Sequence, residues 1–188
     1  MNYFLTKNKQ HEKVFCIDGN GCHFLTSCDN DNKEDKKDDN KMTSGTESKA
    51  EKNKATALAS VMGVNAHDAN AMLKEATADA MDYGDGSMPP VKGIDSIKAG
   101  INGWLGAFPD VKGENFMALT DDGTHVAVFA DWTGTFKNDF MGMKATGKSY
   151  KLKDADIFTF NEAGKITEHR SIQSGMVMAS QVGMAPPK

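Results

Sequence analysis

Between Ala55 and Leu73 the stretch "ATALASVMGVNAHDANAML" repeats its apolar positions every three or four residues, the period of an amphipathic helix. It predicts one or two helices, with Asp68 as the N-cap where the first breaks. "ATADAMDYGDGSMPP" then runs into turn chemistry. In "GIDSIKAGINGWLGAF" the residues Ile94, Ile97, Ile101, Trp104, Leu105 and Phe108 fall on one helical face, which Pro109 terminates. After that the period drops to two. "ENFMALTDDGTHVAVFADWTGTF" predicts a hairpin around Asp122-Gly123, and "SYKLKDADIFTF" with "GKITEHRSIQS" a second across "NEAG". Helices followed by antiparallel strands indicate an α+β fold, with the helices covering one face of a curved sheet.

Ahead of this pattern, residues Asp29 to Lys54 contain no aromatic and no branched aliphatic side chain, so they cannot bury enough apolar surface to order themselves. The expected organisation is a segment 1–28, a disordered charged linker 29–54 and a folded domain 55–188. All three cysteines, Cys16, Cys22 and Cys28, precede the linker in no common zinc spacing. "FLTSC" resembles a bacterial lipobox, which makes Cys28 the expected lipidation site and the tether the chain's link to a membrane outside the cytoplasm. The alternative is a cytoplasmic protein starting at Met42. No apolar run approaches the 20 or so residues that span a bilayer. A net charge of -4 without a concentrated basic face argues against a nucleic-acid partner.

One motif invites a different reading. "GMKATGKS", Gly142 to Ser149, matches the phosphate-loop pattern G-x-x-x-x-G-K-[ST]. That loop needs a buried strand before it and a helix after it, whereas here "TFKNDFM" is polar and "SYKLKDADIFTF" alternates as a strand. No nucleotide is expected.

Five segments occur in a telling order: "AFPDV" (107–111), "TGTF" (133–136), "FMGMKATGKSY" (140–150), "ADIFTF" (155–160) and "GKITEH" (164–169). Together they resemble SnoaL-like proteins, relatives of polyketide and ester cyclases within the nuclear transport factor 2-like superfamily, over roughly Ala55 to Gly183. The resemblance explains the glycine motif as the family's Gly-x-x-Pro-Thr-Gly-Lys turn, with Ala145 in place of the proline. It implies a cone-shaped α+β barrel whose open end admits a small, mostly apolar ligand, and homodimers formed through the outer sheet face. Cyclase members close a ring by an aldol-type step in which an acidic residue shuttles a proton beside a carbonyl. No cofactor is implied. Against the family pattern, Arg170 stands at a tryptophan position and Ser174 at the position of the acid. A serine without a neighbouring base cannot replace a carboxylate in proton transfer.

Strict alternation puts Asp154, Asp156, Phe158 and Phe160 on one face of their strand, and Ile166, Glu168, Arg170, Ile172 and Ser174 on one face of the next. If those faces line the cone, Asp156 and Arg170 form a charge-assisted pair, with Asp156 the candidate catalytic residue; otherwise Arg170 faces solvent or a dimer partner. Trp104, Phe108, Trp132, Phe136 and Phe158 are candidates for an apolar pocket wall or plain core, and Tyr83 for the pocket mouth or an interface. His67 and His125 are expected at the surface, and His169 on the strand face opposite Arg170, in a structural role. Asp121 and Asp122 are turn residues, and no metal-ligand set emerges. Three readings follow: a domain that binds a small hydrophobic carbonyl compound without full cyclase activity, a cyclase or isomerase using Asp156, or an interaction module with a filled cone.

Overall fold

The computed structural model describes residues 48–184, so the expected signal segment, Cys28, Met42 and the linker up to residue 47 lie outside the described residues. Helix α1 (Lys49–Met62) begins inside the stretch expected to be linker, which moves the start of folded structure from Ala55 to Lys49. Two contacts recruit these polar residues. Ser48 caps the helix, its Oγ accepting from Glu51 N at 3.2 Å, and buried Asn53 donates to Gly123 O at 2.8 Å. The charges stay at the surface, where Lys54 pairs with Glu51 and Lys49 with Glu162.

A short 3-10 turn, Gly63–Ala66, ends at His67, and Asp68 caps α2 (Ala69–Leu73) by accepting from Asn70 N at 2.8 Å. Strand β1 (Ala76–Asp82) comes next, although little in its composition marks it as one, since Ala and Asp are poor strand formers. Then follow β2 (Val91–Lys92), α3 (Ile94–Ala107), and the hairpin of β3 (Lys112–Leu119) and β4 (His125–Thr135) around Asp122-Gly123. β5 (Ser149–Phe160) and β6 (Ile166–Ser171) form the second hairpin across Asn161–Gly164. The glycine motif at Gly142–Ser149 delivers the chain into β5, with no helix after it. The last helix, α4 (Gly175–Val182), lies beyond the elements that the apolar spacing predicts; Ser174 caps its start, and Gly183 at φ 72° closes it.

The six strands form one open sheet in the order β2-β1-β6-β5-β4-β3, antiparallel except for the β1–β6 pair. Helices pack on this sheet, α1 against β3 and β4, α3 against β1, and α4 against β5. The expected α+β fold with a curved sheet is therefore the observed one. Phe108, Val111, Val126, Val128, Phe136 and Val182 are fully buried. Phe108 stacks on Phe136 with ring centroids 5.4 Å apart and meets Tyr150 edge-on at 5.5 Å, which makes it core and not pocket wall.

Two irregularities in pairing decide what faces the interior. In the β5–β6 ladder Phe160 pairs with Ile166 but Thr159 pairs with Glu168, so Thr167 is an extra residue on β6. In the β1–β6 ladder Ala76 pairs with Ile166 but Asp82 with His169, so β1 bulges as well.

Candidate functional site

A cavity of about 360 Å³ opens between the helices and strands β4, β5 and β6. Its walls are apolar: Val61 from α1, Met72 from α2, Ile101 and Trp104 from α3, Trp132 from β4 and Leu152 from β5. Polar groups gather on the sheet side, where Asp82, Asp154, Asp156, His169, Ser171 and Gln173 also line it. A few hundred cubic ångströms of mostly apolar space with a few convergent polar groups is the form of a small-molecule site.

His169 lies between two carboxylates. Its Nδ1 is 2.9 Å from Asp82 Oδ1 and its Nε2 is 3.0 Å from Asp156 Oδ1. Burial alone would push the imidazole pKa down; the hydrogen bonds to Asp156 and Asp82, with their charges, outweigh it and raise the value to about 10. At neutral pH the ring is an imidazolium that donates from both nitrogens. For Asp82, burial acts to raise the pKa, but the bond from His169, its charge and the Gly84 N–H hold it below the usual range. Phe158 packs against the imidazole at 5.1 Å between centroids.

Asp156 keeps one oxygen for the cavity. Oδ1 accepts from His169, while Oδ2 has no protein partner among the described residues, and the side chain is 15% exposed. Its neighbour Asp154 is different. Ser171 Oγ at 2.5 Å, Gln173 N at 2.7 Å and its own strand's Ala155 N at 2.6 Å all donate to it, locking the connection from β6 into α4. Burial nevertheless pushes Asp154 up, and the charge of Asp156 adds to the effect. Gln173 lines the cavity, and its side-chain amide makes no protein hydrogen bond among the described residues.

Of the residues singled out in the sequence, the structure brings Trp104, Trp132, Asp156, Phe158 and Ser174 to this cavity. Phe108, Tyr83 and Arg170 are not there. Arg170 lies on the outer side of β6, its guanidinium 3.8 Å above the Tyr83 ring and 3.6 Å from Glu168, with Ile157 and not Asp156 as its partner across the ladder. The expected Asp156–Arg170 pair does not exist, and His169 occupies the inward position instead. The cause is the bulge at Thr167, which shifts the alternation by one residue, so that Ile166 and His169 share a face. Ser174 spends its hydroxyl on capping, accepting from Met176 N at 3.3 Å. Sequence reasoning missed Asp82, Ser171 and Gln173. The one trace of Asp82 was its place at the end of the alternating series Ala76, Ala78, Ala80, hidden by weak strand formers.

Among the described residues, no group of three or more His, Cys, Asp or Glu is placed to hold a metal ion, and no helix is long and apolar enough to cross a membrane.

Comparison with solved structures shows the same fold. A candidate polyketide cyclase from Xanthomonas campestris superposes with a TM-score of 0.65 at 19% identity, covering 72% of this chain and 99% of that one. AclR, a candidate hydroxylase from Streptomyces galilaeus, gives 0.60 at 24% identity over 73% and 89% of the two chains. A protein with a ketosteroid isomerase-like fold from Catenulispora acidiphila gives 0.57 at 16% identity over 69% and 93%. No curated protein matches the chain. The sequence profile of SnoaL-like polyketide cyclases matches residues 54–182, and by that match, on the fold and cavity just described, the chain belongs to the SnoaL-like polyketide cyclase family.

Proposed function

We propose that this protein binds a small, mostly apolar carbonyl compound in the cavity and moves a proton at the carbon beside the carbonyl. The observation that carries the reading is Asp156, with one oxygen held by His169 and the other open to an apolar cavity. In the proposed step Asp156 Oδ2 takes the proton from the α-carbon, and the C–H electron pair becomes the enolate. The enolate carbon then attacks a second carbonyl of the same molecule, closing a ring, and the alkoxide so formed takes the proton back from the Asp156 carboxylic acid; in a conjugated enolate the same acid instead protonates a different carbon, giving an isomer. His169 and Asp82 hold Asp156 in one geometry, and Gln173 supplies a neutral donor for the carbonyl oxygen. A water-poor cavity strengthens these interactions, and a positioned general base contributes typically ~10²–10⁴ in rate.

Ser174 favours a second reading, binding without turnover, because the position the family gives to an acid is here a helix cap. Exchange of the α-protons of 2-tetralone in D2O, followed by NMR, separates the two. Acceleration over buffer by the native protein, lost in Asp156→Asn with binding retained, is the expected result. Binding with no acceleration would leave only the second reading.

A further inference from the structure

The charges around the cavity are unequal. Among the described residues Asp82, Asp154 and Asp156 line it against the single cation of His169, and no lysine or arginine does. The imidazolium has nothing left to offer a ligand, since its two N–H groups are directed at Asp82 and Asp156. Asp154 is surrounded by neutral donors, Ser171 Oγ and the Gln173 and Ala155 N–H groups, which satisfy its oxygens without cancelling its charge. Its raised pKa is the protein's own response to burial and to the neighbouring Asp156 charge. A bound carboxylate would meet the same repulsion with no free cation to offset it, in a medium where charges interact more strongly than in water. A cation meets the reverse: the open oxygen of Asp156 favours positive charge, and the indoles of Trp104 and Trp132 line the same cavity.

From this arrangement we infer that the cavity selects its ligands by charge, admitting neutral and protonated-amine apolar molecules and rejecting carboxylates of the same shape, with Asp154 the specificity-determining residue. The location of the site rests on the proposed function; the selectivity does not depend on turnover.

The test uses three probes of one shape: 2-acetylnaphthalene as the neutral ketone, 2-(aminomethyl)naphthalene as the cation and 2-naphthoate as the anion, each titrated calorimetrically into the full-length protein at pH 7. The naphthoate should bind at least tenfold more weakly than the ketone, and the amine at least as tightly as the ketone. Asp154→Asn should narrow the gap between naphthoate and ketone several-fold. Asp156→Asn, which removes a charge without touching the cage around Asp154, should do the same if Asp154→Asn fails to fold. Equal affinities for ketone and naphthoate would overturn the inference, as would a gap unchanged in folded Asp154→Asn or, should that variant not fold, in Asp156→Asn. Failure of all three probes to bind would overturn it together with the proposed function, whereas charge selection without α-proton exchange would remove only the catalytic reading.

Discussion

His169 is held at a free-energy balance that one substitution can reverse. Burial disfavours its charged form, and two carboxylates at 2.9 and 3.0 Å more than restore it. Asp82 is the member of that trio that can be changed without altering the Asp156 carboxylate itself, because it faces His169 from β1 and bonds the other ring nitrogen. Asp82→Asn should therefore lower the His169 pKa from about 10 by more than one unit while leaving the imidazole bonded to Asp156. The measurement is an NMR titration of the His169 ring in native and variant protein. A native value near 6.5, or one that Asp82→Asn leaves where it was, would show that the two bonds do not govern the ring.

The elements were easier to read than the side chains they present. Long periodic segments announced α3 and the two hairpins, because apolar spacing reports directly which face is buried. β1 and α4 escaped notice because β1 is made of weak strand formers and α4 is a short helix behind a serine cap; tertiary pairing, not local propensity, makes them what they are. The site was half legible for a sharper reason. β5 is regular and its inward residues were assigned as found, but one extra residue in β6, Thr167, exchanges the roles of Arg170 and His169, and no rule of alternation contains a bulge. The start of α1 depends on another close contact. Gly123, at φ 79°, has Ala50 Cα 2.7 Å from where a Cβ would sit, so helix and turn touch backbone to backbone. Gly86 has the same φ of 79° and nothing within 4 Å of a Cβ. Gly86→Ala should cost about 1 kcal/mol, for the backbone conformation alone, and Gly123→Ala about 2–4 kcal/mol because the helix must also move. Urea unfolding of both variants compares them directly. Equal losses would mean that α1 is not seated on the turn.

At the level of the whole molecule, opposing titrations shape stability. His169 has its pKa raised on folding, so its contribution is fully present below its ordinary value of 6.5 and is lost as pH rises through about 10. Asp82 and Asp110 run the other way. For Asp110, burial acts to raise the pKa, but the Thr135 hydrogen bonds and Lys137 bring it down to about 2; for Asp82 the His169 bond prevails over burial. Both contribute stability that is present above 3.8 and lost as pH falls through their folded values. Asp154 opposes them. Its raised pKa means that stability is lost as pH rises from 3.8 through its folded value, which trims the gain from the other carboxylates but leaves the alkaline side to His169. The buried Tyr150 phenol, pushed above its ordinary 10, adds a further loss only beyond that pH. Stability should therefore peak near pH 5–6.5 and decline from there toward pH 10, with a slope of at most ~1.4 kcal/mol per pH unit, the limit for one proton. In His169→Gln the decline between pH 6.5 and 9.5 should disappear, and with it the Asp82 share of the acid limb, while the Asp110 share remains. Urea unfolding midpoints across pH 2–10 read both limbs, and a native profile flat from pH 6.5 to 9.5 would mean that the imidazolium held between Asp82 and Asp156 contributes nothing to the fold.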